Sequence, residues 1–369
     1  MRNFLTEKRR VHPACFLILA APVLIFVLSD WLVPNLGVPM LDVSADELLI
    51  DGKGYLEAAG RNRYLGALLF FTVLVIIAVA MFLGELMRPL TVWTRVLAFA
   101  ALVAVQLPVL SAVVGHQEEA IWSWRAYHQV GTDVMDEVLS RGTVRRCQEL
   151  TWNDGVADYR TLPEKTLLLG RKCTDNPAMA LFRLLLDFAS LLSGIGVAAL
   201  VLGMILSLSC PPSGTPLEER AFDHGRNQRA ARRFLYLAGL MLSSGMFMAM
   251  AWMHWPLPFV DSKAHPGYAD TIKATLFYSG VFYTLLIVTG FGPVMYLAAR
   301  RSDKLAMESM MVEESRPEAA SDSDVPTVTR LDKWKARHGL QISMTEAIQA
   351  LVATSSPLLT AFAGSFAPV

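Results

Sequence analysis

Long apolar runs separated by polar connections dominate the sequence, and their length determines the solvent in which the chain folds. Six runs have about 20 residues or more, enough for a helix rising 1.5 Å per residue to cross a hydrocarbon core about 30 Å thick. Lipid offers backbone N–H groups no partner, so the pattern predicts helices. The six runs are Pro13–Val33, Tyr64–Leu86, Val96–Gly115, Asp187–Leu208, Phe234–His254 and Ile272–Ala298.

The connections between these runs divide the chain into five segments. Residues 1–115 and 179–314 carry transmembrane helices one to three and four to six, and residues 116–178 form a small outer domain. Residues 315–327 are a polar linker, and residues 328–369 are a helical cytoplasmic tail. The expected fold class is an all-α polytopic membrane protein. Composition agrees, because 53% hydrophobic and 18% charged residues are too apolar for a soluble domain.

Basic residues predict the orientation of the chain, because Lys and Arg collect in short cytoplasmic loops. They are concentrated before the first run and in residues 88–95, 211–233 and 300–304, which share one side if six helices alternate. We therefore expect both termini in the cytoplasm, in a plasma membrane that we interpret as a bacterial inner membrane. Lys plus Arg and Asp plus Glu balance at 33 each, so net charge gives no indication of a nucleic-acid partner.

The outer domain is predicted to have α/β structure. Glu118–Arg141 has the pattern of a helix ended by glycine, and the two segments Val144–Trp152 and Val156–Thr161 flank a tight-turn sequence typical of a hairpin. Cys147 and Cys173 are the only cysteines on this side of the membrane in the six-helix topology, so we expect a disulfide between them. The alternative is two free thiols.

The tail is predicted to be helical. Val328–His338 has the pattern of a short helix, the capping box Ser343–Glu346 opens a second, and Pro357 is expected at the first position of a third apolar piece. Residues 347–366 carry no charge, so they must pack on the first tail helix, on the membrane or on a cytoplasmic partner. The side chains expected to form this docking surface are Leu331, Trp334, Ile348, Leu351, Val352 and Leu359.

Polar residues close to the apolar runs are the remaining site candidates. His116 and Glu119 share a helix face and could begin a metal site, although polar residues marking a helix end have the same pattern. Arg183 and Asp187 are spaced to form an i,i+4 ion pair near a helix end. Gln106 is the deepest polar interruption and predicts a hydrogen bond between helices.

Function is only weakly indicated by these patterns. The sequence contains no catalytic, cofactor-binding or metal-binding signature of the kinds searched for. We therefore expect no cofactor, and a non-enzymatic sensor or scaffold that couples the outer domain to the cytoplasmic tail. Its partners are the lipid bilayer, a cytoplasmic protein bound by residues 328–369 and further copies of the chain. Two alternatives stay open: a channel, pore-forming effector or transporter, and a membrane-embedded enzyme.

Overall fold

The described part of the chain is helical almost throughout, and its β-structure consists of three isolated bridges. This confirms the prediction of an all-helical membrane bundle. The computed structural model of the protein describes residues 9–36, 48–49, 53–115, 131, 134–135, 137–139, 177–212, 214–314, 327–341 and 343–365.

The eight longer α-helices of the described residues are numbered in chain order. A 3-10 turn over Pro13–Leu19 leads into the first of them, and a second 3-10 turn, Leu257–Phe259, follows the fifth. The helices are α1 Ala20–Leu36, α2 Gly54–Leu86, α3 Val92–Gly115, α4 Pro177–Ser207, α5 Leu217–His254, α6 Tyr268–Glu314, α7 Thr327–Arg337 and α8 Met344–Ser365.

In the described part of the chain, six helices are long and apolar enough to cross a membrane. Six is the predicted number, but the six helices are not all the predicted ones. Five of them, α2 to α6, contain the second to sixth predicted runs. The sixth is α8, in the segment that we expected to be a cytoplasmic tail. The first run lies in the 3-10 turn Pro13–Leu19 and α1, whose fully described part, Pro13–Ser29, is too short to be included in this set. By length and composition the bundle therefore has candidate crossings at α2 to α6 and α8.

The two ends of the bundle are distinguished by the chain segments that meet there. At one end Arg9 pairs with Leu90 and Arg10 with Cys210 in isolated bridges. At the other, Leu48 pairs with Val260. We call the first the inner end, because it carries the basic connections, and the second the outer end.

Helices α5 and α6 are much longer than a membrane requires, with 38 and 47 residues. They lie antiparallel, and their inner extensions are joined by Arg220 and Glu308 at 2.6 Å and by His224 and Ser302 at 3.0 Å. Gln228 also donates to Ser302 at 2.7 Å. These polar contacts lie where the α5 sequence is charged, inward of the apolar run that begins at Phe234.

Helix α8 packs along both α5 and α6, parallel to the first and antiparallel to the second. It begins where Glu346 meets Arg232, passes Gly239 at Ala353, and ends where Gly364 meets Met250. A side chain at Gly239 would collide with the backbone of Ala353, so the two helices approach at backbone distance.

The predicted capping box is present at the start of α8. Ser343 N donates to Glu346 Oε2 at 2.9 Å, and Glu346 N donates to Ser343 Oγ at 3.2 Å. The prediction that Pro357 opens a separate piece is wrong, because one helix runs through it. The proline removes the donor for Ala353 O, but Ser356 Oγ replaces it at 2.8 Å, so the helix continues.

The predicted outer domain falls largely outside the described residues. This applies to Cys147, Cys173 and both predicted strands, so neither the disulfide nor the α/β structure is supported. Within the predicted helix, residues 134–135 and 137–139 are helical. Gly131 has a φ of 89° and lies against Pro256, which places this part of the loop on the outer end of the bundle.

Candidate functional site

A cavity of about 220 Å³ lies between the helices. It is lined by α1 with its preceding turn, α3, α4, α5 and α6, and by one residue of α2. Every described residue that lines it is uncharged. The apolar walls include Phe26, Phe71, Val109, Val201, Met248 and Phe282.

Seven hydroxyl groups lie among the lining residues. Four donate their hydrogen to the carbonyl four residues earlier in their own helix, over 2.8–3.1 Å. A further two, Ser29 of α1 and Tyr278 of α6, are joined at 2.6 Å. Since five of the seven hydroxyl hydrogens are directed at neighbours, these groups offer the cavity mainly weak acceptors. The four hydroxyl groups that donate to a carbonyl of their own helix are those of Ser190, Ser193, Thr275 and Ser279.

These walls define the class of molecule that the cavity can hold. A charged ligand would lose its hydration without gaining a counter-charge from the lining, which is costly. An apolar cavity of about 150 Å³ is enough for a benzene-sized molecule. A volume of about 220 Å³ therefore suits an uncharged apolar group, such as part of an acyl or isoprenoid chain.

Gln106 lies at the edge of the same region. A Cβ built on Gly194 would lie 2.7 Å from Gln106 Oε1, so the amide of α3 packs directly on the backbone of α4. Gln106 Nε2 is buried and has no hydrogen-bond partner among the described residues. The two helices pack closely here, but the interhelical hydrogen bond expected for Gln106 stays a prediction.

The cavity and α8 occupy different faces of the same two helices. Gly245 of α5 and Tyr278 of α6 line the cavity. On α6, Gly280 faces away from it, and a Cβ there would lie 2.5 Å from Ala361 Cβ of α8. Any displacement of α5 or α6 at the cavity is therefore transmitted directly to the contact with α8.

The inner end has a different chemistry, dominated by charge. Arg9 and Asp223 meet at 2.5 Å, and Arg88 lies 2.7 Å from Glu85 and 3.1 Å from Asn227 Oδ1. Burial lowers the pKa of the Arg88 guanidinium, and the charge of Glu85 opposes that shift. These pairs connect the N-terminal segment, α2 and α5, so we interpret them as structural.

Most of the polar candidates predicted from the sequence lie outside the described residues and stay predictions. His116 and Glu119 lie outside the described residues, as does the side chain of Arg183. Asp187 is half-buried near the outer part of α4. Among the described residues there is no group of three or more His, Cys, Asp or Glu that could hold a metal ion.

The α8 side chains predicted to form the docking surface of the tail are all exposed, and docking on a partner stays a prediction. Ile348 and Val352 border a groove beside α5, so the four do not share one face turned away from the bundle. On α7, Trp334 packs against the ring of His338 with centroids 4.2 Å apart, and Leu331 is half-buried. The four exposed side chains are Ile348, Leu351, Val352 and Leu359.

The cavity itself was not predicted from the sequence. The available signal was the helical spacing of hydroxyl residues inside apolar runs: Ser190 and Ser193 on α4, and Thr275 and Ser279 on α6. Such spacing shows that two hydroxyls share a helix face, but it does not show which helices those faces meet.

The described helices define a multi-pass helical membrane protein with an uncharged internal cavity. No family model, curated protein or solved structure matches the chain.

Proposed function

We propose that this protein is a non-enzymatic membrane sensor that binds an uncharged apolar molecule in the cavity and reports its presence through α8. The observation that supports this most strongly is the position of the cavity and α8 on different faces of α5 and α6. A ligand that separates the cavity walls changes the surface on which α8 is packed. The output is then a change in α8 or in α7, which precedes it.

The same cavity favours binding over the two alternative functions. Ion-coupled transport normally uses charged residues within the membrane, and none of the described lining residues is charged. Catalysis would require an activated nucleophile or a general base, whereas Ser190 and Ser193 donate to carbonyls of their own helix. The proposed sensor needs neither feature.

The proposed topology places the N-terminus and the connection between α4 and α5 in the cytoplasm, in a plasma membrane. The basic residues of both segments support this orientation. Because α8 runs parallel to α5, the proposed orientation has the end of α8 at Ser365 on the outer side, which replaces our expectation of a cytoplasmic C-terminus. We keep as a proposal that Cys147 and Cys173 stabilise an outer domain, which resistance of both thiols to alkylation before reduction would test.

A cavity-filling substitution tests the proposed function. Gly245 lines the cavity, and a Cβ there makes only ordinary contact with Phe71 at 3.5 Å, so Gly245→Ala should be accommodated. Gly245→Leu extends further into the space. Gly292→Leu is the matched control, because nothing lies within 4 Å of a Cβ at that position.

The measurement is mass spectrometry of small molecules extracted from the full-length protein isolated in native-membrane nanodiscs. We expect an apolar molecule to be enriched with the unaltered protein, Gly245→Ala and Gly292→Leu, and lost with Gly245→Leu. Comparable thermal unfolding of the variants excludes misfolding as the reason. If no molecule is enriched, or if Gly245→Leu retains it, the cavity is not a binding site and the proposal fails.

A further inference from the structure

A stripe of arginines follows the exposed side of α5 just inside the point where its apolar run begins. Arg226, Arg229 and Arg233 are all exposed, and Phe234 opens the run. Successive residues of an α-helix are about 100° apart, so these three lie within about a quarter of the helix circumference. They therefore form one basic strip at the depth where the chain enters the lipid.

The same side of α5 continues into a groove shared with α8. Tyr236, Leu240 and Ser243 follow Arg233 at helical spacing and form one wall. Ile348 and Val352 belong to the opposite wall. The groove thus begins one turn beyond the arginine stripe and runs along the apolar part of both helices, on the outside of the bundle and apart from the internal cavity.

The described surroundings neutralise the positive charge of the stripe only in part. None of the three arginines makes an ion pair within 4 Å with another described residue. Glu346 is engaged by Arg232, and Glu85, which lies within electrostatic reach of Arg226 and Arg233, is shared with Arg88 and Arg9, so the stripe keeps a net positive charge. An anion of the surrounding medium is therefore the complementary partner, and an exposed guanidinium matches a phosphate well.

We propose that this surface binds an anionic phospholipid of the inner leaflet. The phosphate lies against Arg229 and Arg233, and one acyl chain follows the groove between Leu240 and Val352. The surface has positive charge at the headgroup level and an apolar groove directly continuous with it. A phospholipid has the matching order, with a charged headgroup followed by apolar acyl chains. The site is independent of the ligand proposed for the internal cavity.

The test measures retention of defined lipids by the purified full-length protein. Delipidated protein is titrated with phosphatidylglycerol or phosphatidylcholine, and the bound lipid is counted by native mass spectrometry. We expect the unaltered protein to prefer phosphatidylglycerol. The double variant Arg229→Gln/Arg233→Gln should lose about 30-fold in affinity for it, since each basic residue at an anionic lipid surface contributes about a factor of five.

The matched control is Arg300→Gln/Lys304→Gln, which removes the same charge from exposed positions of α6 at the inner end. We expect this variant to keep the preference. Val352→Trp fills the groove without changing charge and should weaken both lipids. Equal losses for the two double variants would reduce the effect to general surface charge and overturn the proposal, as would unchanged binding by Val352→Trp. Displacement of the lipid by inorganic phosphate would overturn its assignment as a phospholipid site.

Discussion

The N-terminal segment and α8 both pack on the bundle formed by α2 to α6, but the contacts that hold them differ in kind. The N-terminal segment is fixed at its inner end by backbone bonds, with Arg9 N donating to Pro89 O at 2.8 Å and Cys210 N donating to Arg10 O at 2.9 Å. Farther out, α1 covers the cavity, with the Ser29–Tyr278 hydrogen bond as its described polar contact with α6.

Helix α8 instead makes close contacts along most of its length. Gly239, Gly280 and Gly364 mark places where α8 lies so close to its neighbours that an added Cβ would require something to shift. Each dispersion contact at such distances is weak, but their sum is large. Such contacts drive helix association in a membrane, because there is no hydrophobic driving force between helices in lipid. We therefore expect that weakening the contacts of α1 lowers the stability of the protein less than weakening those of α8.

The largest expected effect comes from forcing α8 away from α5. Gly239→Leu places a side chain where the backbone of Ala353 lies, and backbone cannot rotate aside as a side chain does. We expect this variant to lower the free energy of unfolding by about 3 kcal/mol, which is the upper range for overpacking. The measurement is unfolding of the protein in detergent. Gly84→Leu is the control, because nothing lies within 4 Å of its Cβ, and it should leave unfolding nearly unchanged. Equal stability of the two variants would contradict the close contact of α8.

A smaller effect is expected at the ion pair that begins α8. The side chain of Arg232 is 8% exposed and that of Glu346 is 34% exposed. Glu346→Gln keeps the capping-box geometry but leaves a buried guanidinium unpaired, whereas Arg232→Gln leaves a carboxylate that reaches water and still accepts from Ser343 N.

We therefore expect Glu346→Gln to lower the free energy of unfolding by about 2 kcal/mol and Arg232→Gln to lower it by about 1 kcal/mol. Both losses are smaller than those found for fully buried ion pairs, because water screens this pair. The measurement is the midpoint of thermal unfolding in the same detergent. The reverse order would show that Arg232 is not buried against α8.

The smallest effect is expected for the N-terminal helix. Tyr278→Phe removes the hydroxyl that pairs with Ser29, and Ser29 is only 5% exposed, so its own hydroxyl loses a partner. We expect a loss of about 1 kcal/mol, which Ser29→Ala should largely restore in the double variant, because both polar groups are then removed. A loss as large as that of Gly239→Leu would mean that α1 is held as tightly as α8.

The sequence predicted those features that depend on local pattern. The apolar runs that correspond to α2 to α6 can be recognised as membrane helices from their length and composition. The Ser343–Glu346 capping box can be recognised because it depends only on two residues three positions apart. The docking of α8 could not be predicted this way, because Gly239 and Ala353 are far apart in sequence and neither is unusual alone. Residues 347–366 were recognised as uncharged, but their partner is decided by the shapes of α5 and α6.

The candidate site was predictable only in part for the same reason. Gln106 was identified as a polar contact within the membrane, and it does pack on α4 at Gly194. The cavity beside it depends on space left between five or more helices, which no single run encodes. Ser193 and Tyr278 acquire their role only when the faces that carry them meet.

Oxidative cross-linking in the native membrane tests most directly that α8 belongs to the bundle and lies on α6. Cysteines replace Gly280 and Ala361, where the Cβ positions lie 2.5 Å apart, so a shift of about 1 Å reaches the separation of about 3.5–4.5 Å that a disulfide requires. The four native cysteines are replaced by serine, and a protease site is inserted between residues 314 and 327. Gly280→Cys with Leu351→Cys is the control, because Leu351 lies on the exposed face of α8.

After oxidation and cleavage, we expect the pair at 280 and 361 to stay at full mass until it is reduced, and the control pair to separate into two fragments. Separation of both pairs would contradict the account, because α8 would then not lie against α6 in the membrane.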